Sequence, residues 1–64
     1  MSSIKIEVHI RFKATTVIAE DKESAISKVA DDMRIRVNSV HCIGTRNDNA
    51  WVINNTIEAY AYIV

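Results

Sequence analysis

The chain is poor in the residues that break, cross-link or charge a protein fold. Its 64 residues include no proline, one glycine and one cysteine. The lone Cys42 cannot form an intramolecular disulfide and is typical of a reducing compartment. One glycine excludes a glycine-rich phosphate-binding loop. A chain this short buries only about 60% of its unfolded surface, so we expect oligomerisation or docking on a larger partner to stabilise it.

An excess of charge of one sign is also missing. Eight basic and eight acidic residues cancel, which argues against binding to duplex nucleic acid, because that requires a basic surface. No apolar run approaches the ~20 residues that span a bilayer, and we find no signal-peptide pattern. We therefore expect a cytoplasmic protein with no membrane partner, complete as a single small interaction domain over residues 1–64.

The clearest pattern is the alternation of apolar and polar residues from position 4 to position 12. A period of two predicts a β-strand with one buried and one wet face. The phase then changes from even to odd near residues 13–16, where a β-bulge or a tight turn would explain it. We expect one bent strand over residues 4–19, with two short strands as the alternative. The inward set is Ile4, Ile6, Val8, Ile10 and Phe12, and the outward set is Lys5, Glu7, His9, Arg11 and Lys13.

A helix is predicted to begin after Asp21, whose carboxylate can accept the free N–H groups of the first turn. The helix should end between residues 34 and 37, where Arg34 and Arg36 complement its negative end. Asn38 is the expected left-handed terminator. An apolar stripe recurs at spacings of three and four residues and consists of Ala25, Ile26, Val29, Ala30 and Met33.

Two further strand regions follow the helix. Residues 40–45 predict a short strand, with the lone Gly44 at a bulge or close approach, and residues 46–49 predict a turn. Residues 51–64 predict a third strand region, with an interruption at residues 54–55 left open. Its last part places Ile57, Ala59, Ala61 and Ile63 on one face and Glu58, Tyr60, Tyr62 and Val64 on the other. The predicted fold is α+β in the order β-α-β-β, with one helix packed on one face of a three- to four-stranded antiparallel sheet.

Side chains suited to metal or nucleophilic chemistry are few. His9, His41 and Cys42 are the soft ligand candidates, whereas a tetrahedral zinc site requires four ligands. A thiol–imidazole pair of Cys42 and His9 lacks an orienting third group and an oxyanion hole. We therefore predict no enzyme activity, no cofactor and no metal, with Cys42 as a small buried residue.

The sheet face away from the helix is the main candidate site. If the first and last strands are neighbours, Lys5, His9 and Arg11 flank Tyr60 and Tyr62 there. Tyrosine and arginine are residues that anchor protein interfaces. Stacking of bases on the tyrosines would instead bind single-stranded nucleic acid, an interpretation that the neutral charge weakens. Self-association, or a wet face that only satisfies strand propensity, stays open as well.

The turn that contains Arg46, followed by Trp51, is a second candidate. A tryptophan beside a polar loop can anchor an interface, although more often it closes the end of a small core. The residues predicted to bind a partner are Arg11, Tyr60, Tyr62, Trp51, Arg46, His9 and Lys5.

The stretch from Val17 to Ala25 resembles a junction common in small phage and plasmid proteins. There an apolar strand ends in Ala-Glu, and a capping residue leads into a helix that opens with acidic residues and an alanine. In size and layout the chain also resembles small bacteriophage host-takeover proteins, of the RNA polymerase inhibitor and anti-CRISPR types. That resemblance implies an inhibitor that occludes a surface of a larger host protein complex in the host cytoplasm. Dodecins share the β-α-β-β order and the length, but Trp51 has no clear match to their flavin-stacking residue.

Overall fold

The first part of the chain forms a β-hairpin rather than the single bent strand predicted. In the computed structural model, which describes residues 3–44 and 47–64, β1 (Ile4–Ile10) pairs antiparallel with β2 (Lys13–Ala19). Ile10 pairs with Lys13, so Arg11 and Phe12 form a two-residue turn. The φ angle of Arg11 is +57°, as the first central position of a type II′ turn requires. The turn itself changes the inward parity from even to odd.

Phe12 is fully exposed, which corrects its predicted place in the buried set. The alternation of β1 ends at Ile10, and Phe12 belongs to the turn rather than to the pleated strand. Periodicity alone could not show this, because an apolar residue in a turn has the same parity as one in the strand.

Helix α1 (Lys22–Asp32) begins as predicted, with Asp21 as its N-cap. The Asp21 carboxylate accepts a hydrogen bond from the Ser24 N–H at 2.8 Å, which satisfies one free donor of the first turn. Four residues of the predicted stripe are fully buried and the fifth, Met33, packs against them in part. The buried four are Ala25, Ile26, Val29 and Ala30.

The helix ends before the predicted range, at Asp32, and a different residue terminates it. Arg34, not Asn38, takes the left-handed conformation, with a φ angle of +63°. The Arg34 N–H donates to the Asp31 carbonyl and the Ile35 N–H to the Ala30 carbonyl, each at 2.9 Å. These two bonds form a Schellman motif.

The sheet has five strands, whereas the sequence predicted three to four. After α1 come β3 (Val40–Cys42), β4 (Ala50–Ile53) and β5 (Ile57–Ile63). The order across the sheet is β2-β1-β5-β4-β3, and each neighbouring pair is antiparallel. The predicted class, α+β with one helix on one face, is confirmed. The count was too low because the first and last alternating stretches each divide at a turn.

The turn between β4 and β5 lies at the interruption that the sequence left open. Asn54 and Asn55 have φ angles of +55° and +61°, and the Thr56 N–H donates to the Ile53 carbonyl at 3.1 Å. Positive φ at both central residues is the type I′ geometry that joins antiparallel strands.

The hydrophobic core lies between α1 and one face of the sheet. The buried alanines of β5, Ala59 and Ala61, lie in the sheet beneath α1, and small residues there permit a close approach. The core consists of Ile6, Val8, Ile10, Ala19, Ala25, Ile26, Val29, Ala30, Ile53, Ala59 and Ala61. No element in the described part of the chain covers the opposite side, which we call the open face.

Candidate functional site

The centre of the open face brings together three of the predicted site residues. β1 and β5 are neighbours, and the register pairs His9 with Tyr60 and Glu7 with Tyr62. The His9 and Tyr62 rings meet edge to face, with centroids 5.6 Å apart and planes at 87°, a favoured aromatic geometry. Tyr60 and Tyr62 are 40% and 39% exposed. Each tyrosine side chain is therefore partly exposed to solvent and partly packed on the sheet.

A row of side chains crosses all five strands through this centre. The Ile43 N–H donates to the Ala50 carbonyl at 3.0 Å, which extends the β3–β4 ladder by one pair. The registers then align Ala14, His9, Tyr60, Ala50 and Ile43 from one edge to the other. Alanines flank the two central rings, and the half-exposed Ile43 ends the row.

A shallow concavity of about 900 Å³ adjoins this row. His9, Tyr60 and the turn residue Arg11 line one part of it, and Ile43 and Val52 line the apolar part. Its mixture of rings, aliphatic groups and one guanidinium suits a protein side chain better than a small polar substrate.

The open face also contains two carboxylates that were not among the predicted site residues. Glu7 is on β1, and its Oε2 accepts a hydrogen bond from His9 Nε2 at 2.6 Å. Glu58 lies two residues from Tyr60 on β5 and lines the same concavity. With Lys5 and Arg11 they give the face mixed charge. The alternating pattern could have revealed them, because odd residues of β1 and even residues of β5 share this face.

Lys5 lies on the open face away from the concavity. It is exposed, and its cross-strand partner on β2 is Ile18, which is 61% exposed. Lys5 therefore belongs to the rim of the face rather than to its aromatic centre.

Trp51 does not join the tyrosines. It pairs with Ala59, a residue of the helix side of the sheet, and packs against the core while half-buried. Its Nε1–H donates to the Asp48 carbonyl at 2.7 Å. The tryptophan thus closes the end of the core, the alternative that the sequence left open. Arg46 lies outside the described residues.

Cys42 is exposed, which corrects its prediction as a buried residue. It lies on β3, a three-residue strand at the sheet edge, and its thiol is 3.5 Å from the Asp48 carboxylate. In residues 3–44 and 47–64, no three His, Cys, Asp or Glu side chains group as metal ligands would.

A carboxyl with a shifted pKa lies at the helix cap rather than on the open face. The pKa of the Asp21 carboxyl is lowered from 3.8, chiefly by the hydrogen bond from the Ser24 backbone N–H. This carboxylate is at the N-terminus of α1, on the helix side of the sheet.

No family model, curated protein or solved structure matches the chain. Among the described residues, no helix is long and apolar enough to cross a bilayer. A functional assignment therefore depends on the geometry of the open face.

Proposed function

We propose that the chain is a non-enzymatic protein-binding module that docks through its open face. The observation that supports this is the exposed cluster of His9, Tyr60 and Tyr62 at the centre of a sheet face that no described element covers. Tyrosine combines a large contact area with few rotatable bonds, so it anchors interfaces at a small entropic cost. Lys5, Glu7 and Glu58 surround the rings, as the polar rim of an interface does.

Docking on a larger protein would occlude the surface it covers, and inhibition is the effect we propose. The whole domain measures 29 × 26 × 22 Å, so its open face matches the ~800 Å² that each partner contributes to an ordinary specific interface. The origin of the chain in a bacteriophage or mobile element is supported by the resemblance in size and layout alone, and it stays a prediction.

Single-stranded nucleic acid is the second candidate ligand of the same face, because exposed rings can stack on bases. Glu7 and Glu58 weaken this candidate, since their carboxylates lie beside the rings where a phosphate backbone would pass. The dependence of binding affinity on salt concentration distinguishes the two candidate ligands. Nucleic-acid affinity should fall steeply with salt as counterions are released, whereas affinity for a protein anchored by tyrosines should change far less.

Replacement of Tyr60 and Tyr62 by alanine should abolish partner binding and leave the fold intact. Both side chains lie opposite the core, so their loss creates no cavity. The partner can be found with a photo-reactive phenylalanine analogue at position 60 in bacterial lysate, with the same analogue at the exposed Asp32 of α1 as the control.

We expect a cross-linked protein from position 60 only. In an affinity pull-down without the analogue, the parent should retain that protein and the double alanine variant should not. Circular dichroism and thermal unfolding establish whether that variant is folded. A folded double variant that binds the partner as well as the parent would contradict the proposal. An unfolded one would show that the tyrosines belong to the core.

A further inference from the structure

β2 is a seven-residue edge strand with few features that prevent pairing. Within the described residues it has a neighbour on one side only, β1. The stretch from Ala14 to Ala19 contains no charge and no proline, and its register against β1 is unbroken. Sheet edges are usually blocked by lysine, proline, a bulge or a covering element. This edge therefore presents a ready template for another strand.

The outward-pointing backbone groups of β2 belong to alternate residues. In an antiparallel ladder every second pair is hydrogen-bonded, and the pair that closes a two-residue turn is a bonded one. Because Ile10 and Lys13 close the turn, the amide groups of Ala14, Thr16 and Ile18 point away from β1. Lys28 supports this direction, since its Nζ donates to the Ile18 carbonyl at 2.9 Å from outside the hairpin.

We propose that this edge pairs with the β2 strand of a second copy of the chain, antiparallel and with Thr16 opposite Thr16 on a two-fold axis. This symmetric register pairs all three outward-pointing residues, because Ala14 then faces the partner's Ile18. Such an arrangement forms about six backbone hydrogen bonds. The exposed Lys28 ammonium must leave the Ile18 carbonyl, which its flexible stem permits.

The charges at the two ends of β2 complement each other in this arrangement. Arg11 and Lys13 lie at the turn end of the strand, and Glu20 and Glu23 follow its other end. Antiparallel pairing brings the basic end of one copy beside the acidic end of the other, twice in each dimer. Parallel pairing would place like charges together, so the charges favour the antiparallel form.

Phe12 supplies an apolar contact at the same ends. It is fully exposed at the tip of the hairpin, and the proposed register puts it opposite the partner's Glu20. A cleft of about 300 Å³ lies there, lined by Ile18, Ala19, Glu20, Ser24 and Lys28. Association would therefore remove the Phe12 ring and the exposed Ile18 side chain from water together.

The dimer leaves His9, Tyr60 and Tyr62 at the centre of the open face available, so the dimer and the proposed function can each fail without the other. The two-fold axis passes between the paired Thr16 residues, perpendicular to the sheet. It therefore keeps both open faces on one side of the joined sheet and both helices on the other. The two sheets would join into one of ten strands.

A single cysteine on the proposed axis tests the register. In a Cys42→Ser background, Thr16→Cys places two thiols directly opposite each other, with Cα atoms about 5.5 Å apart, within disulfide range. Ala14→Cys is the matched control, since it lies on the same exposed face of β2. Two such residues would lie more than about 13 Å apart along the paired strands. On oxidation of dilute protein we expect a covalent dimer from Thr16→Cys and none from Ala14→Cys.

Proline variants on the two sheet edges test the interface itself. Thr16→Pro removes an outward N–H of β2, and Cys42→Pro removes one of β3, because the neighbouring Ile43 N–H bonds inward to Ala50. By sedimentation we expect dimers of the parent and of Cys42→Pro, and a monomer of Thr16→Pro. A parent that stays monomeric up to about 1 mM, a folded dimeric Thr16→Pro, or equal cross-linking of the two cysteine variants would overturn the proposal. If Thr16→Pro fails to fold, the difference in disulfide cross-linking between Thr16→Cys and Ala14→Cys tests the proposal instead.

Discussion

The Asn54 side chain links the β4–β5 turn to the connection between α1 and β3 through hydrogen bonds. Its Oδ1 accepts the N–H groups of Asn38 and Ser39 at 2.6 and 3.1 Å, and its Nδ2 donates to the Arg36 carbonyl at 2.7 Å. One side chain thus satisfies three backbone groups of the connection between α1 and β3, while its own backbone forms the β4–β5 turn. Adjacent asparagines in the sequence indicated a turn, but no local pattern indicated a contact with residues 15 to 18 positions away.

Asn54→Ala should lower the free energy of unfolding by about 3 kcal/mol more than Asn55→Ala does, because three hydrogen bonds are lost and each contributes roughly 1 kcal/mol. Both residues have positive φ angles, so alanine strains the backbone equally at either position, and Asn55→Ala is the matched control. Urea denaturation of the two variants measures the difference. Equal midpoints would contradict the proposed role of the Asn54 side chain.

Asp21 makes the helix cap sensitive to acid. Its pKa in the folded protein lies below the ordinary 3.8, so the ionised carboxylate stabilises the fold above pH 3.8. That contribution is lost as the pH falls through the folded-state pKa. The melting temperature of Asp21→Ala should therefore lie below that of the parent at neutral pH, and the gap should narrow as the pH drops below 3.8.

Asp21→Asn is the control for the cap, since an amide oxygen accepts the Ser24 N–H without titrating. Its melting temperature should stay closer to that of the parent at neutral pH than that of Asp21→Ala. A gap between the parent and Asp21→Ala that is independent of pH would mean that the carboxylate does not cap α1 in solution.

The secondary-structure elements differ in how well the sequence specified them. The α1 helix and the alternation of β5 were predictable, because each shows an uninterrupted period over its whole length. The hairpin was harder to predict, since its turn consists of Arg11 and Phe12 rather than the glycine or asparagine that favours positive φ. The early end of α1 was also hard to predict, because it depends on a packing contact outside the helix. Ile35 packs against the core, and this packing places the left-handed residue at position 34 rather than at Asn38.

Arg34→Gly should stabilise the protein by roughly 0.5–1 kcal/mol, because glycine adopts the left-handed conformation without the strain of a side chain. Arg36→Gly is the control for loss of charge and side chain, since Arg36 is an exposed arginine of the same connection without a positive φ angle. We expect it to be neutral or destabilising. Thermal unfolding compares the two, and a destabilised Arg34→Gly would show that the arginine side chain contributes more than the strain costs.

For the molecule as a whole, the sequence predicted the class and the existence of an open face, but not what that face contains. Parity assigned Tyr60, Tyr62 and His9 to one side, and the pairing of β1 with β5 brought them together. The same rule applies to Glu7 and Glu58, so the mixed charge could have been predicted. The position of Trp51 could not be predicted, because the face on which it lies depends on the register of β4 with β5.

The strand order has a consequence for the synthesis of the chain. β5 is the last strand in sequence and lies in the middle of the sheet, between β1 and β4. It is made about 50 residues after β1, or roughly 3–10 s later at ordinary translation rates. Until Ile57–Ile63 leaves the ribosome, the hairpin and the helix have no central strand against which to complete their core. The sheet can therefore close only after β5 has been synthesised, and until then the apolar side of β1 depends on α1 and β2 alone for cover.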